Sequence, residues 1–374
     1  MITTQGARMS TVRARVMRCL SAMVGAALLT GCVIAPGLSR GENPRVEVEV
    51  WREGRPLQPQ RWYYVEAPGA RCANGSPVGV GVNAARSSRD LLVYFNGGGA
   101  CWNAMSCGIL ETAANTEIRY SSNQLGKEVH PLAEAGVLSR DKAINPLSSA
   151  NFMFVPYCTG DLHAGYTQTT YPGLGLEGPV YHQGRRNVEL FIERARQIFP
   201  EVERVWLMGV SAGGYAVALN FELFKSSFEG AEIHAYADAS PWLTLDDERW
   251  EAWRTNWAMT LPEACEGCLE NSELIPSRLA RAYPESRFAL SVFSHDTVIS
   301  TYFGAVPNRF AELLEEHLSS YYQEHPNMRV FVAEGGDHET LLQLRTLTGR
   351  DSRRLESFYR AWVTGEVSDE QASE

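Results

Sequence analysis

Three observations predict an α/β fold on a mostly parallel central sheet. Short apolar runs read as buried strands, helical spacing fills the stretches between them, and glycine-bearing loops follow the strand ends. In chain order, alternating Val46, Val48 and Val50, then Trp62-Tyr63-Tyr64-Val65, suggest early antiparallel strands. Leu91 to Phe95 reads as a buried strand and ends in Asn96-Gly97-Gly98-Gly99-Ala100. A polar helical insert, including Ala133 to Leu138, comes next, and Asn187 to Phe199 reads as an amphipathic helix. Arg204 to Met208 is a further strand, and from Ala212 to about Lys225 apolar residues recur at helical spacing. Three more strand-like runs follow: Ile233 to Ala237, Phe288 to Phe293 and Met328 to Ala333.

Between the strand at 204–208 and the helix from Ala212 stands Gly209-Val210-Ser211-Ala212-Gly213. Strand, G-x-S-x-G, helix is the setting of a nucleophile elbow, in which a strained turn lifts the serine hydroxyl out of the sheet. Gly209 and Gly213 are expected there because a Cβ at either position would collide with the crossing backbone. The helix N-terminus behind Ser211 favours developing negative charge. This setting specifies the α/β class further as the α/β-hydrolase fold, with helices flanking the sheet. In that fold a glycine-rich loop such as Gly97-Gly98-Gly99 supplies one backbone N–H to an oxyanion hole, and the residue after the nucleophile, Ala212, supplies another.

The fold needs an acid and then a histidine after the serine. Five histidines follow Ser211: His234, His295, His317, His325 and His338. His338 sits on the loop Glu334-Gly335-Gly336-Asp337 after the last strand and is the candidate base. His317 on a polar helical stretch and His234 inside a strand read as structural. For the acid, Asp296 after the strand at 288–293 and Asp238 after the strand at 233–237 are both candidates, and the usual position after the penultimate strand favours Asp296. Asp337, adjacent to His338, reads as a loop residue. Residues 241–283 carry Trp242, Trp250, Trp253 and Trp257 where this fold inserts a helical cap. Those tryptophans either line an acyl or sugar pocket or pack the cap onto the body.

Composition bounds the setting. A 374-residue chain with 44% hydrophobic residues can bury one large core, and the net charge of −10 argues against a nucleic-acid partner or a polybasic membrane patch. At the N-terminus, Arg13, Arg15 and Arg18 precede an apolar stretch from Leu20 to Leu29 that is too short to span a bilayer. Leu29-Thr30-Gly31-Cys32 resembles a bacterial lipobox, whose cysteine is lipidated, so residues 1–32 are expected to be a lipoprotein signal peptide. A start at Met9 would give that signal a more ordinary length. Residues 33–44 read as a tether, 45–365 as the hydrolase domain and 366–374 as an acidic disordered tail. Six of the eight cysteines lie beyond Cys32, an even number that suggests disulfides in an exported chain. Cys101 and Cys107, six apart, would close a small loop beside the glycines. Cys265-Glu266-Gly267-Cys268 has no second C-x-x-C and no histidine pair nearby, so neither a metal nor a cofactor is expected.

Several ordered motifs together resemble the pectin acetylesterase and Notum family of carboxylesterases. They are Arg71 to Pro77, Leu91 to Cys107, Asn151 to Gly165, the elbow through Gly214, and the loops at His295-Asp296 and Asp337-His338-Glu339, within about residues 70–345. Ala100 stands where the family usually has tryptophan. The resemblance implies a serine esterase with Ser211, Asp296 and His338 as triad, and Gly98, Gly99 and Ala212 around the oxyanion. It makes Asp238 a structural residue. Cys72 and Cys158 are left as a candidate second bridge. The expected activity is hydrolysis of an ester, foremost O-acetyl groups on a carbohydrate, by a protein anchored to a membrane through Cys32 and facing periplasm or cell surface. Rival readings are a lipid or thioester hydrolase on the same scaffold and a non-catalytic binding protein of hydrolase fold.

Overall fold

The computed structural model describes residues 45–366, apart from 173–175, 177 and 244–245. The expected signal peptide, its Cys32, the tether through residue 44 and residues 367–374 lie outside the described residues. No helix among those described is long and apolar enough to cross a membrane.

The apolar runs assemble into a nine-stranded sheet of order β1-β2-β3-β5-β4-β8-β9-β10-β11. Its central members are β5 (Asn151–Val155), β4 (Asp90–Phe95), β8 (Arg204–Val210), β9 (Glu232–Asp238), β10 (Phe288–Phe293) and β11 (Met328–Ala333). Each of these pairs in parallel with the next. Leu91 to Phe95 and all of β5 are buried, as near-continuous apolar strands of a covered parallel sheet must be. The antiparallel side is formed by β2 (Trp62–Arg71) and β3 (Pro77–Asn83).

The edge strand β1 (Val48–Val50) runs parallel to β2, in register Val48↔Trp62, which corrects the antiparallel expectation. Residues 51–61 form a long return loop, with Trp51 N–H donating to Tyr64 O at 2.9 Å, and so bring the chain back to the same end of the sheet. A separate two-stranded ribbon, β6 (Thr167–Thr169) with β7 (Val180–His182), carries no sequence signal beyond three-residue runs.

Helices link successive strands. They are α1 (Ser122–Ala135) between β4 and β5, α2 (Gly184–Ile198) before β8, and α3 (Ala212–Ser227) between β8 and β9. Between β9 and β10 come α4 (Asp247–Asn256) and α5 (Leu274–Ala282). Then α6 (Thr297–Tyr302) and α7 (Pro307–Tyr321) precede β11, and α8 (Leu355–Thr364) follows it. The insert helix α1 stops at Gly136, whose extended backbone (φ −121°, ψ −158°) ends it before Val137 and Leu138, which the spacing had included. Trp206 of β8 and Tyr236 of β9 each meet Trp362 of α8 edge-on at 5.2 Å, so one aromatic knot fastens the last helix to the sheet. Three disulfides, Cys72–Cys158, Cys101–Cys107 and Cys265–Cys268, occupy all six described cysteines. Bridges of this kind persist in oxidising compartments and are consistent with export.

Candidate active site

The loops after β4, β8, β10 and β11 meet at the carboxyl ends of the strands, where open parallel sheets bind ligands. Ser211 follows β8 with φ +53° and ψ −123°, a conformation rare for a residue with a Cβ. Close crossings of backbone hold it there. A Cβ on Gly209 would strike the Gly213 carbonyl, and one on Gly213 would strike the Phe95 carbonyl of the neighbouring strand. Ser211 N–H donates to Asp238 O at 2.8 Å, and Ser211 O accepts from Gly214 N–H at 2.8 Å as α3 begins.

The glycine loop after β4 turns its carbonyls into the body. Gly98 O accepts from Ala114 N–H at 2.8 Å, Gly99 O from the Tyr157 hydroxyl at 2.8 Å, and Ala100 O from Thr112 Oγ1 at 2.6 Å. Gly98 (φ +144°) and Gly99 (φ +75°) adopt backbone conformations that residues with a Cβ rarely take. Among the described residues no loop or turn acceptor engages the amides of Gly98, Gly99 or Ala212. The Tyr302 hydroxyl braces the loop from α6, donating to Thr112 O at 2.6 Å and accepting from Ala100 N–H at 3.4 Å. The Cys101–Cys107 bridge closes the segment that follows.

Between these elements lies a small cavity. Gly99, Ala100, Ser211 and Ala212 form one side of it, and Leu162, Tyr215, Trp253, Ile299, Tyr302 and Phe303 complete it; its volume is ≈ 20 Å³. Larger depressions of ≈ 720 and ≈ 660 Å³ lie around Phe199, at the opposite end of β8, and contain none of these groups. Of the four cap tryptophans, all buried, Trp253 lines the cavity. Trp257 stacks on Trp253 at 5.1 Å and donates its indole N–H to Cys101 O at 3.0 Å, tying α4 to the glycine-loop extension.

Asp296 is fully buried at the start of α6. Its Oδ1 accepts from the N–H groups of Val298 and Ile299, both at 2.9 Å, and its Oδ2 accepts from His338 Nδ1 at 2.7 Å. Burial alone would lower His338, but the hydrogen bond and charge of Asp296, with Glu339 and Asp238 behind it, outweigh burial and leave it above the ordinary imidazole value. The other shifted histidines go the opposite way. Burial pushes His163 and His182 down to about 4, and His234 and His317 down to about 3. His234 contacts Arg287, and His317 is buried against Tyr321 and Tyr322. His295 meets Ser294 Oγ at 2.8 Å, and Asp337, exposed, accepts from Gln343.

Asp238 makes no bond to His338. Its buried carboxylate, lifted to about 6 by burial, accepts instead from Ser291, Thr340 and Leu341. Tyr157, Tyr302 and His163, whose Nε2 lies 3.0 Å from Asn96 O, also shape the glycine loop. Sequence reading missed these three, because their roles arise from contacts more than 50 positions apart in the chain. The glycine loop and Ser211 present a hydroxyl beside unengaged amides, and Asp296 orients the His338 imidazole, although among the described residues no hydrogen bond joins Ser211 to His338; these are the kinds of group that acyl transfer requires.

A family model for pectinacetylesterases matches residues 60–262. Palmitoleoyl-protein carboxylesterase notum1' of Xenopus laevis is 26% identical over 227 residues, covering 57% of this chain and 43% of its own. The human palmitoleoyl-protein carboxylesterase NOTUM is 27% identical over 186 residues, 48% of this chain and 35% of its own. An inactive palmitoleoyl-protein carboxylesterase, notum1b of Danio rerio, is 32% identical over 104 residues, 26% of this chain and 68% of its own. The chain thus spans less than half the length of the active relatives it matches here. Among solved structures, the Wnt deacylase Notum from Drosophila superposes with a TM-score of 0.59 at 18% identity, over 81% of this chain and 92% of that one, and shares the α/β-hydrolase fold. With the family model spanning residues 60–262, more than half of its length, this chain belongs to the pectinacetylesterase family.

Proposed function

We propose that the protein is an exported serine carboxylesterase that removes short acyl groups, foremost O-acetyl groups on a carbohydrate. The observation that carries this reading is Ser211 at φ +53°, lining one cavity with Gly99, Ala100 and Ala212. In the proposed reaction His338 Nε2 takes the Ser211 proton as Oγ attacks the ester carbonyl. The carbonyl electron pair moves onto oxygen, where the amides of Gly98, Gly99 and Ala212 receive it, each donor being worth roughly 3–4 kcal/mol in comparable sites. Collapse expels the alcohol with the proton from His338, and Asp296 stabilises the intervening imidazolium. Water, deprotonated by the same imidazole, then releases the acid and regenerates Ser211.

The cavity beside Ser211 is small (≈ 20 Å³) and lined by Leu162, Trp253, Ile299 and Phe303, which supports a short acyl group. The activity named for the animal relatives, palmitoleoyl-protein carboxylesterase, favours a long-acyl reading, and the small cavity beside Ser211 supports the short-acyl one for this chain. For location, the lipobox-like Leu29-Thr30-Gly31-Cys32 supports anchoring through Cys32. A fluorophosphonate probe tests the reaction class. One phosphonyl adduct on Ser211, absent from Ser211→Ala, is expected by intact-mass spectrometry, and an unlabelled wild type would favour a binding role.

A further inference from the structure

Asp238 stands where the serine loop and the histidine loop meet. It closes β9 between Val210 of β8 and Ser291 of β10, its partners in register. Its backbone carbonyl accepts the Ser211 N–H at 2.8 Å. Its carboxylate accepts from Ser291 Oγ at 2.8 Å, Thr340 Oγ1 at 2.7 Å, Thr340 N–H at 3.3 Å and Leu341 N–H at 2.9 Å. Thr340 and Leu341 follow His338 by two and three positions. On the other side of His338 the loop is held by the backbone at His295 and Thr297, whose N–H groups donate to Gly335 O at 2.9 Å and Gly336 O at 3.3 Å. The histidine loop is therefore fastened at both ends, the far end by this side chain together with Ser291, whose Oγ lies 2.8 Å from Thr340 Oγ1.

We infer that Asp238 is a positioning residue that registers the His338 imidazole against Ser211, through its carbonyl on the serine and its carboxylate on the segment after the histidine. The inference rests on the Ser211–Asp296–His338 reading above. A buried carboxylate with four donors over-determines the loop, and a displacement near 1 Å in such a pair costs on the order of a hundredfold in rate. Asp238 touches neither substrate nor imidazole, and the effect of its side chain, as distinct from its backbone carbonyl, runs through His338.

The test is a double-mutant cycle on p-nitrophenyl acetate hydrolysis by the full chain. Asp238→Asn, and the milder Thr340→Val, are each made alone and combined with His338→Ala, with melting temperatures recorded. Asp238→Asn should lower kcat about a hundredfold and Thr340→Val about tenfold, with KM within about twofold, and neither should reduce the residual rate of His338→Ala further. Unchanged kcat in the folded variants, or losses that multiply with His338→Ala, would overturn the inference. Thr340→Val leaves the carboxylate and three of its donors in place, so the question stays answerable should Asp238→Asn not fold. Full activity in Ser211→Ala or His338→Ala would instead sink the triad reading, a separate and distinguishable failure.

Discussion

At His338 two opposing effects decide the chemistry: burial disfavours the imidazolium, and the Asp296 carboxylate favours it by more. A general base must be neutral to accept a proton, so activity should rise with pH through a value above that of an ordinary histidine. Asp296→Asn removes the favourable charge and leaves the burial. The acid limb of kcat/KM should then move to lower pH while the plateau kcat falls by roughly 10³- to 10⁴-fold; an unmoved limb would mean that Asp296 does not govern His338. Ser211 and His338 stand out in the sequence as candidates because a glycine-framed elbow and a glycine-bearing loop after the last strand are local signals. The choice of acid was not settled by local signals, because Asp296 and Asp238 both end strands. What separates them is a hydrogen bond across 42 positions in one case and a set of hydroxyl and amide donors in the other.

At the scale of elements, the cavity beside Ser211 is made where the glycine loop, α3, α4 and α6 converge, and α4 contributes Trp253. Truncating that ring opens the cavity without touching the proposed reacting groups. Trp253→Ala should raise the octanoate-to-acetate ratio of kcat/KM by at least about tenfold, and an unchanged ratio would show that the acyl chain lies elsewhere. Most strand boundaries could be read from their apolar runs, with which β10 and β11 coincide, whereas the cap is placed only by its position in the fold and not by periodicity. The ribbon of β6 and β7 and the parallel pairing of β1 could not be read that way. Three-residue strands carry no alternation to detect, and the direction of an edge strand is set by where its return loop ends.

For the whole molecule, the disulfides divide by the length of chain they enclose. Cys72–Cys158 spans 86 positions and Cys101–Cys107 spans 6, so loop-closure entropy assigns about 4–5 kcal/mol to the first and about 2 kcal/mol to the second. Denaturant unfolding of Cys72→Ser/Cys158→Ser beside Cys101→Ser/Cys107→Ser should give losses in that order. The reverse order would mean that residual structure in the unfolded chain already confines the longer loop. The measurement that bears most directly on the central claim is hydrolysis of p-nitrophenyl acetate, butyrate and octanoate by the purified protein beside Ser211→Ala. Activity that falls with chain length and disappears in Ser211→Ala is the predicted result. Full activity in Ser211→Ala would contradict the serine mechanism, and activity rising toward octanoate would contradict the short-acyl reading.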